Sequence, residues 1–177
     1  GSMRRYIPVV VIAAMALLPA LAASKKKVDA GPLGSADHWQ GGETAAMTVE
    51  VARAIERLDP EDNRNTARAG ELLLKAGQPA EAEKMFDKAI RLGADDDEML
   101  GIIALAYRDA QMWDKVDELY AKATKLDPDD LDHIAEWGVA YWRRGDKAKA
   151  GELFARVMTA EPDTLRIYYK IGRGISR

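Results

Sequence analysis

From Thr44 to the end of the chain, apolar residues recur three and four positions apart, and short polar breaks separate the apolar runs. This spacing is typical of amphipathic helices, and the strict alternation of β-strands is almost absent. Three breaks share one setting, because Pro60, Pro128 and Pro162 each end an amphipathic run and precede an acidic residue. The pattern therefore predicts an all-helical protein built from short helices.

The breaks recur at a fixed interval. Pro128 and Pro162 are 34 residues apart, Pro60 and Pro128 are 68 apart, and the missing member falls at Ala94, where Gly93 breaks the helix. The blocks 63–96, 97–130 and 131–164 carry a small residue at the eighth position, a small residue at the twentieth and an aromatic at the twenty-fourth. Small residues let two antiparallel helices approach closely, and stacked neighbours supply the burial that one hairpin lacks. The residues at these positions are Gly70, Ala104 and Gly138; Ala82, Val116 and Ala150; Phe86, Tyr120 and Phe154.

The repeat resembles the tetratricopeptide repeat, whose pattern is Trp-x2-Leu-Gly-x2-Tyr, then Ala-x3-Phe, then Pro, over 34 residues. The second block departs from it at Ala104 and Val116, and the first departs at Thr66 and Ala69. The resemblance covers about residues 63–175 and implies a right-handed superhelical α-solenoid of antiparallel helix hairpins. The third block fits best, through Trp137, Gly138, Tyr141, Ala150, Phe154 and Pro162.

Partial repeats flank the three full ones. Residues 44–60 are predicted to form an N-terminal capping helix, and residues 165–177 begin a fourth repeat that either covers the third or pairs with another chain. Gly77 and Gly145 suit left-handed helix ends, and Pro79 suits a first helical turn.

The N-terminus predicts export. Gly1 and Ser2 precede Met3 and are typical of a cloning scar. Two arginines, an apolar stretch at 7–18 and an Ala-x-Ala site ending at Ala22 are the parts of a signal peptide. The stretch is shorter than the ~20 residues that span a bilayer, which favours cleavage over an inner-membrane anchor. We therefore expect an exported bacterial protein of the periplasm, with a signal peptide at 1–22, a flexible linker at 23–43 and no membrane span in the mature chain.

The composition of the chain excludes several kinds of catalytic and metal-binding site. The chain of 177 residues has a net charge of -3 and no cysteine, so disulfides, thiol catalysis and Cys-ligated zinc are excluded. A basic stripe is missing, which argues against nucleic acid. The two histidines, His38 and His133, are far apart, and neither a nucleophile motif nor a phosphate loop is present. The acidic run at 95–98 is interpreted as helix-capping, and His133 is predicted to lie on the surface. We therefore expect no catalysis, no metal and no cofactor.

The resemblance implies a concave groove that is lined by the first helix of each hairpin and binds a peptide. The family's terminal-carboxylate clamp, Lys at position five and Asn at nine, is absent, since Ala67, Glu71, Gly101 and Leu105 occupy those positions. The apolar and arginine side chains of the groove instead favour a ligand segment that is apolar and has acidic residues beside it. Ile102 and Val139 could equally pack between helices. The predicted groove residues are Arg64, Arg68, Glu71, Leu74, Ile102, Leu105, Arg108, Val139, Trp142, Arg143 and Tyr169.

Together these features predict a non-enzymatic protein-interaction adaptor in the periplasm, with a protein or peptide partner held in a largely apolar groove. The adaptor would serve envelope assembly, secretion or protein maturation. The alternative is a self-assembling structural scaffold, a homo-oligomer formed through the terminal helices.

Overall fold

The computed structural model describes residues 42–177, and this part of the chain is helical without a β-strand. The predicted signal peptide at 1–22 and the predicted linker up to residue 41 lie outside the described residues. The all-helical fold is confirmed. The helices are α1 (Gly42–Leu58), α2 (Asn63–Lys75), α3 (Pro79–Leu92), α4 (Asp97–Asp109), α5 (Trp113–Leu126), α6 (Leu131–Arg143), α7 (Lys147–Ala160) and α8 (Leu165–Ile175).

The helices pair in chain order. Helices α2 and α3 form the first hairpin, α4 and α5 the second, and α6 and α7 the third, while α1 packs on α2 and α8 packs on α6. The first helices of successive hairpins begin at 63, 97, 131 and 165, which reproduces the 34-residue interval. The hairpins stack in one direction because each leaves an apolar face that only its neighbour covers. The result is an α-solenoid.

Each hairpin turn contains one residue in the left-handed region. Gly77 (φ 76°) and Gly145 (φ 92°) occupy this place in the first and third hairpins, as predicted. The second hairpin has Gln111 there, with φ 59°. A side chain strains this conformation, whereas glycine adopts it freely. The turn of the second hairpin therefore carries a strain that the other two avoid.

Inside the first and third hairpins, a glycine on one helix faces a phenylalanine on the other. A Cβ atom on Gly70 would lie 2.6 Å from Cε1 of Phe86, and one on Gly138 would lie 2.5 Å from Cε1 of Phe154. Such distances leave no room for a methyl group. The eighth position of these two repeats thus sets how closely their helices approach.

Three junctions join the stack: the first between repeats 1 and 2, the second between repeats 2 and 3, and the third between repeat 3 and α8. Helices α2 and α4 pack directly at the first junction, as do α6 and α8 at the third. At the second junction α4 and α6 meet at few positions, and α6 packs mainly on α5. The buried apolar residues form two clusters that meet there, since Ala140 of α6 belongs to the first cluster and Trp137 packs against both.

Candidate functional site

The predicted groove residues all lie on the first helices of the repeats, α2, α4, α6 and α8. Two of them are part of the core. Leu74 is 3% exposed and Val139 is 1% exposed. Helix α8 covers Val139 so closely that a Cβ on Gly174 would lie 2.6 Å from its Cγ1. For Val139 the packing alternative is therefore the right one, and neither side chain is open to a ligand.

The apolar surface that remains on this face is small. Ile102 is partly buried against the first core cluster, and Leu105 is partly exposed. Trp142 is partly exposed, packs on the second cluster, and has Nζ of Lys147 4.6 Å from its ring centroid. Tyr169 on α8 is 70% exposed. The groove is thus more polar than predicted, because charged pairs occupy much of the face between these side chains.

Arg64 bridges the first junction. Its Nε lies 2.7 Å from Oδ2 of Asp96, its Nη2 lies 3.0 Å from Oδ1 of the same carboxylate, and its Nη1 contacts Glu98. Burial by itself would raise the pKa of Asp96, but hydrogen bonds from Arg64, the Met99 amide and Asn63 lower it overall. Arg64 is thus committed to contacts within the protein. Arg68 is exposed and donates a hydrogen bond to Asn65, whereas the partly buried Glu71 pairs with Lys75.

The third junction carries a second charged network. Asp132 lies 2.8 Å from Nη1 of Arg166 and 2.7 Å from Nζ of Lys170, which also lies 2.9 Å from Glu136. Burial would raise the pKa of Asp132, but hydrogen bonds from Lys170 and Arg166 lower it overall. Glu136 also accepts a hydrogen bond from the hydroxyl of Tyr120 at 3.1 Å. Burial, followed by the nearby Glu136 charge, raises the pKa of Tyr120 well above its usual range.

Positive charge remains partly uncompensated where α4 and α6 end. The Arg108 side chain is 13% exposed, and its buried Nε makes no hydrogen bond among the described residues, although it lies 3.6 Å from Oδ1 of Asp109. Arg143 donates from Nε to the carbonyl oxygen of Gly174 at 3.0 Å, and its Nη1 lies 3.4 Å from Asp109. Burial lowers the pKa of Arg143, and the charge of Arg108 lowers it further. An anionic group placed here would complete the pairing of both arginines.

His133 is not on the surface, and that prediction was wrong. Its side chain is 7% exposed, and Nε2 lies 2.9 Å from Oδ2 of Asp97 and 3.4 Å from Oδ2 of Asp130. The ring fits because it lies against Gly101, where a Cβ would be only 2.8 Å from Cε1. In the sequence, the one sign of this contact is the repeat register. Asp97 is the first residue of repeat 2 and His133 the third of repeat 3, and stacking brings these two positions together. Within the acidic run, Asp96 does cap α4, because it accepts from the Met99 amide at 3.0 Å.

The stacked hairpins and their 34-residue register define a tetratricopeptide-repeat protein. The sequence model described as "Psidin, N-terminal TPR repeats region" matches residues 65–162, more than half of the chain. The chain therefore belongs to the tetratricopeptide-repeat family, whose members typically serve as non-catalytic scaffolds that bind other proteins. The general role of the chain is protein–protein interaction.

Solved structures share the fold. The crystal structure of YrrB, a TPR protein with an unusual peptide-binding site, matches with a TM-score of 0.55 at 22% identity, over 91% of this chain and 86% of YrrB. The MamA RS-1 ArsTM double mutant matches with a TM-score of 0.52 at 24% identity, over 87% of this chain and 94% of that one. No curated protein sequence matches significantly. In the described part of the chain, each helix is too short or too polar to cross a membrane.

Proposed function

We propose that this chain is a non-enzymatic adaptor that binds an acidic segment of a partner protein along the face formed by its first helices. The observation that carries the proposal is that two arginines, Arg108 and Arg143, share one carboxylate, that of Asp109, at 3.6 and 3.4 Å. One carboxylate leaves one of the two positive charges unbalanced, and a charge-assisted hydrogen bond to a ligand carboxylate contributes roughly 1.5–3 kcal/mol. YrrB, which shares the fold, is described as having a peptide-binding site.

Apolar contacts supply the rest of the proposed interface. Leu105 and Trp142 lie on α4 and α6, the helices that carry the two arginines, and Tyr169 extends this surface onto α8. Large aromatic side chains with a polar atom are frequent anchors at interfaces. The partner segment should therefore combine one or two carboxylates with neighbouring apolar side chains.

A displayed library of random peptides, selected on the purified chain, tests the charge requirement. We expect the selected peptides to be rich in Asp and Glu next to apolar residues. Replacing those acids with their amides should weaken binding about tenfold, since a charge-assisted hydrogen bond contributes roughly 1.5–3 kcal/mol. Fluorescence anisotropy of a labelled peptide measures the change.

Protein variants then locate the contact. Arg108→Gln should weaken the acidic peptide about tenfold and leave its amide version unaffected, as a double-mutant cycle requires for a direct pair. Trp142→Ala should weaken both peptides. Lys122→Gln, which removes an exposed cation from the second helix α5, is the matched control and should change neither. Equal effects of Lys122→Gln and Arg108→Gln, or selected peptides without acidic residues, would contradict the proposal.

We further propose that the adaptor acts in the periplasm, where it serves envelope assembly, secretion or protein maturation. The support is the signal-peptide pattern of residues 4–22. Cell fractionation followed by N-terminal sequencing should find a chain that begins at Ala23 in the periplasmic fraction. A chain that keeps residues 1–22 and sediments with membranes would instead establish the anchored alternative.

Apolar residues on the terminal helices favour self-assembly as a second candidate function. Leu58 on α1 is 85% exposed, and Leu165 joins Tyr169 as an exposed apolar residue on α8. Removal of α8 is a poor test because its Ile167 and Ile171 are buried in the core. Sedimentation of the wild type and of a Leu165→Asp, Tyr169→Asp variant is cleaner. Assembly through α8 predicts oligomers for the wild type alone, and monomers for both proteins at high concentration would exclude it.

A further inference from the structure

At the second junction, one imidazole lies between two carboxylates. Nε2 of His133 is 2.9 Å from Oδ2 of Asp97, which belongs to repeat 2, and 3.4 Å from Oδ2 of Asp130. One ligand atom from each of these residues lies within 4.8 Å of the other two. The imidazole is buried while both carboxylates are partly exposed, so an ion in solution has access to the three donors.

The charge balance of this cluster differs from that of the other two junctions. Arg64 neutralises acidic groups at the first junction, and Lys170 with Arg166 neutralises Asp132 at the third. Those cations are permanent at neutral pH. This cluster at the second junction instead pairs two carboxylates with a histidine, which is charged only when protonated. With neutral His133, the cluster holds two negative charges, and no described lysine or arginine forms an ion pair with either carboxylate. Arg64 and Arg166 act on Asp97 and Asp130 only from a greater distance.

The position of the ring is built into the fold. A Cβ on Gly101 would lie 2.8 Å from Cε1 and 3.1 Å from Nδ1 of His133, so the ring occupies space that only glycine leaves free. The fifth position of repeats 1 and 3 is alanine instead, at Ala67 and Ala135. Asp130 is held as well, because its Oδ1 accepts a hydrogen bond from the Asp132 amide at 2.8 Å. Its other oxygen faces Nε2.

We propose that Asp97, Asp130 and His133 form a divalent transition-metal site, and that Zn²⁺ is the ion that fits best. Zinc takes imidazole nitrogen and carboxylate oxygen at about 2.0–2.2 Å, which places tetrahedral donors roughly 3.3 Å apart. The two measured separations from Nε2 bracket this value. A water molecule would complete the tetrahedron. Magnesium and calcium prefer six or more oxygen donors and suit a site with one nitrogen less well.

Binding has a definite proton balance. Nε2 lies within hydrogen-bonding distance of Asp97, and a metal requires a free lone pair on that nitrogen. The neutral tautomer that carries its proton on Nδ1 provides this lone pair, and any second ring proton passes to solvent. The bound ion replaces the hydrogen bond between Asp97 and His133 with two metal–ligand bonds. Because Asp97 lies on α4, whereas Asp130 caps the start of α6 and His133 lies on α6, the ion ties two hairpins together.

The test titrates ZnCl₂ into the full chain after removal of metal with EDTA. Calorimetry should give one Zn²⁺ per chain, and circular dichroism should show a melting temperature that rises by about 5–10 °C at a hundredfold excess over Kd. His133→Gln and Asp97→Asn should each lower the affinity at least tenfold. Asp95→Asn removes one charge from the same loop without touching the cluster, and should bind zinc like the wild type.

A second measurement does not depend on the stability of those variants. In the His38→Gln chain His133 is the sole remaining histidine, so its ring nitrogens give the one imidazole signal in a long-range ¹H–¹⁵N spectrum. One equivalent of Zn²⁺ should shift Nε2 and leave Nδ1 protonated. An unshifted Nε2, a melting temperature unaffected by zinc, or zinc stabilisation that is lost with His38 would overturn the proposal.

Discussion

The first and second junctions occupy equivalent places in the repeat but are built differently. At the first, α2 and α4 pack directly, one continuous apolar cluster runs through both repeats, and Arg64 pairs with Asp96. At the second, α4 and α6 meet at few positions, which include His133 against Gly101, and the buried apolar residues of repeat 3 other than Ala140 form a separate cluster. Side chains that reach across from α5 and α6 occupy the interface instead.

Aromatic and polar groups make the second junction. Trp137 stacks on Tyr120 with ring centroids 6.4 Å apart, and its Nε1 donates to Asp117 at 2.7 Å. Arg144 reaches the same carboxylate at 2.9 Å and lies over the ring of Tyr141, 3.7 Å from its centroid. A repeat thus fixes the spacing of its helices, while each junction can join them through different side-chain contacts. Four substitutions test this difference.

The largest effect should come from Trp137→Ala. Trp137 is the residue that packs against both apolar clusters, and removal of a large buried aromatic costs roughly 3–5 kcal/mol. We expect a loss near the lower figure, about 3 kcal/mol, because the side chain is only partly buried. Hydrogen exchange should then show residues 131–177 opening separately from residues 44–130. Trp142→Ala touches the second cluster alone and should leave the two parts coupled, and a single cooperative transition for Trp137→Ala would contradict the two-part description.

Gly101→Ala should have the next largest effect. The new methyl group would lie 2.8 Å from Cε1 of His133, so the ring must move. Overpacking costs roughly 1–3 kcal/mol, and the better helix propensity of alanine offsets about 0.5–1 kcal/mol. Urea unfolding should therefore show a net loss of about 1 kcal/mol. Gly172→Ala, at a helical position with open space around it, is the matched control and should stabilise the chain slightly.

Arg64→Met tests the first junction, and the expected loss at pH 7 is about 1 kcal/mol, because the arginine is partly exposed and solvent weakens its ion pairs. The lowered pKa of Asp96 means that its pairing stabilises the fold above the unfolded pKa of about 3.9 and is lost as pH falls through the lower folded value. Wild type and variant should therefore converge in unfolding free energy between about pH 4 and pH 2. Arg68→Met, at an exposed position outside the junction, should match the wild type at each pH.

The smallest effect has the opposite sign. Gln111→Gly removes the strain of a side chain at φ 59°, where the first and third hairpins have glycine. A left-handed side chain costs roughly 1–2 kcal/mol, and the added flexibility of glycine in the unfolded chain returns part of it. We expect a stabilisation of about 0.5–1 kcal/mol in urea unfolding. Gly145→Ala is the converse variant and should destabilise the third hairpin, and equal effects of the two changes would refute the strain argument.

Much of the scaffold follows from local sequence. Helical periodicity and the 34-residue interval predict where the first helices begin, and Gly77, Gly145 and Pro79 mark the turns between paired helices. These features depend on residues a few positions apart, so they are visible in a single sequence. The family pattern adds the pairing of Gly138 with Phe154, which the structure places in contact range.

The candidate site is less predictable, because it depends on residues 31 to 36 positions apart that compete for the same partners. Position in the repeat placed Arg64, Val139 and Arg143 in the groove, with packing between helices as the alternative for Val139. The structure commits Arg64 to Asp96, buries Val139 beneath α8 and ties Arg143 to Gly174. Burial of each side chain depends on the neighbouring hairpin, so register alone could not separate free groups from paired ones.

By itself, the sequence determined the class of fold, the number of hairpins and the positions of their turns, since helix periodicity and turn chemistry are local properties. Only the tertiary structure decided that His133 lies buried between Asp97 and Asp130 and that the core divides at Trp137. Both features arise at a contact between hairpins. The missing side chain of Gly101 leaves room for the His133 ring, and the few contacts between α4 and α6 leave the two apolar clusters separate.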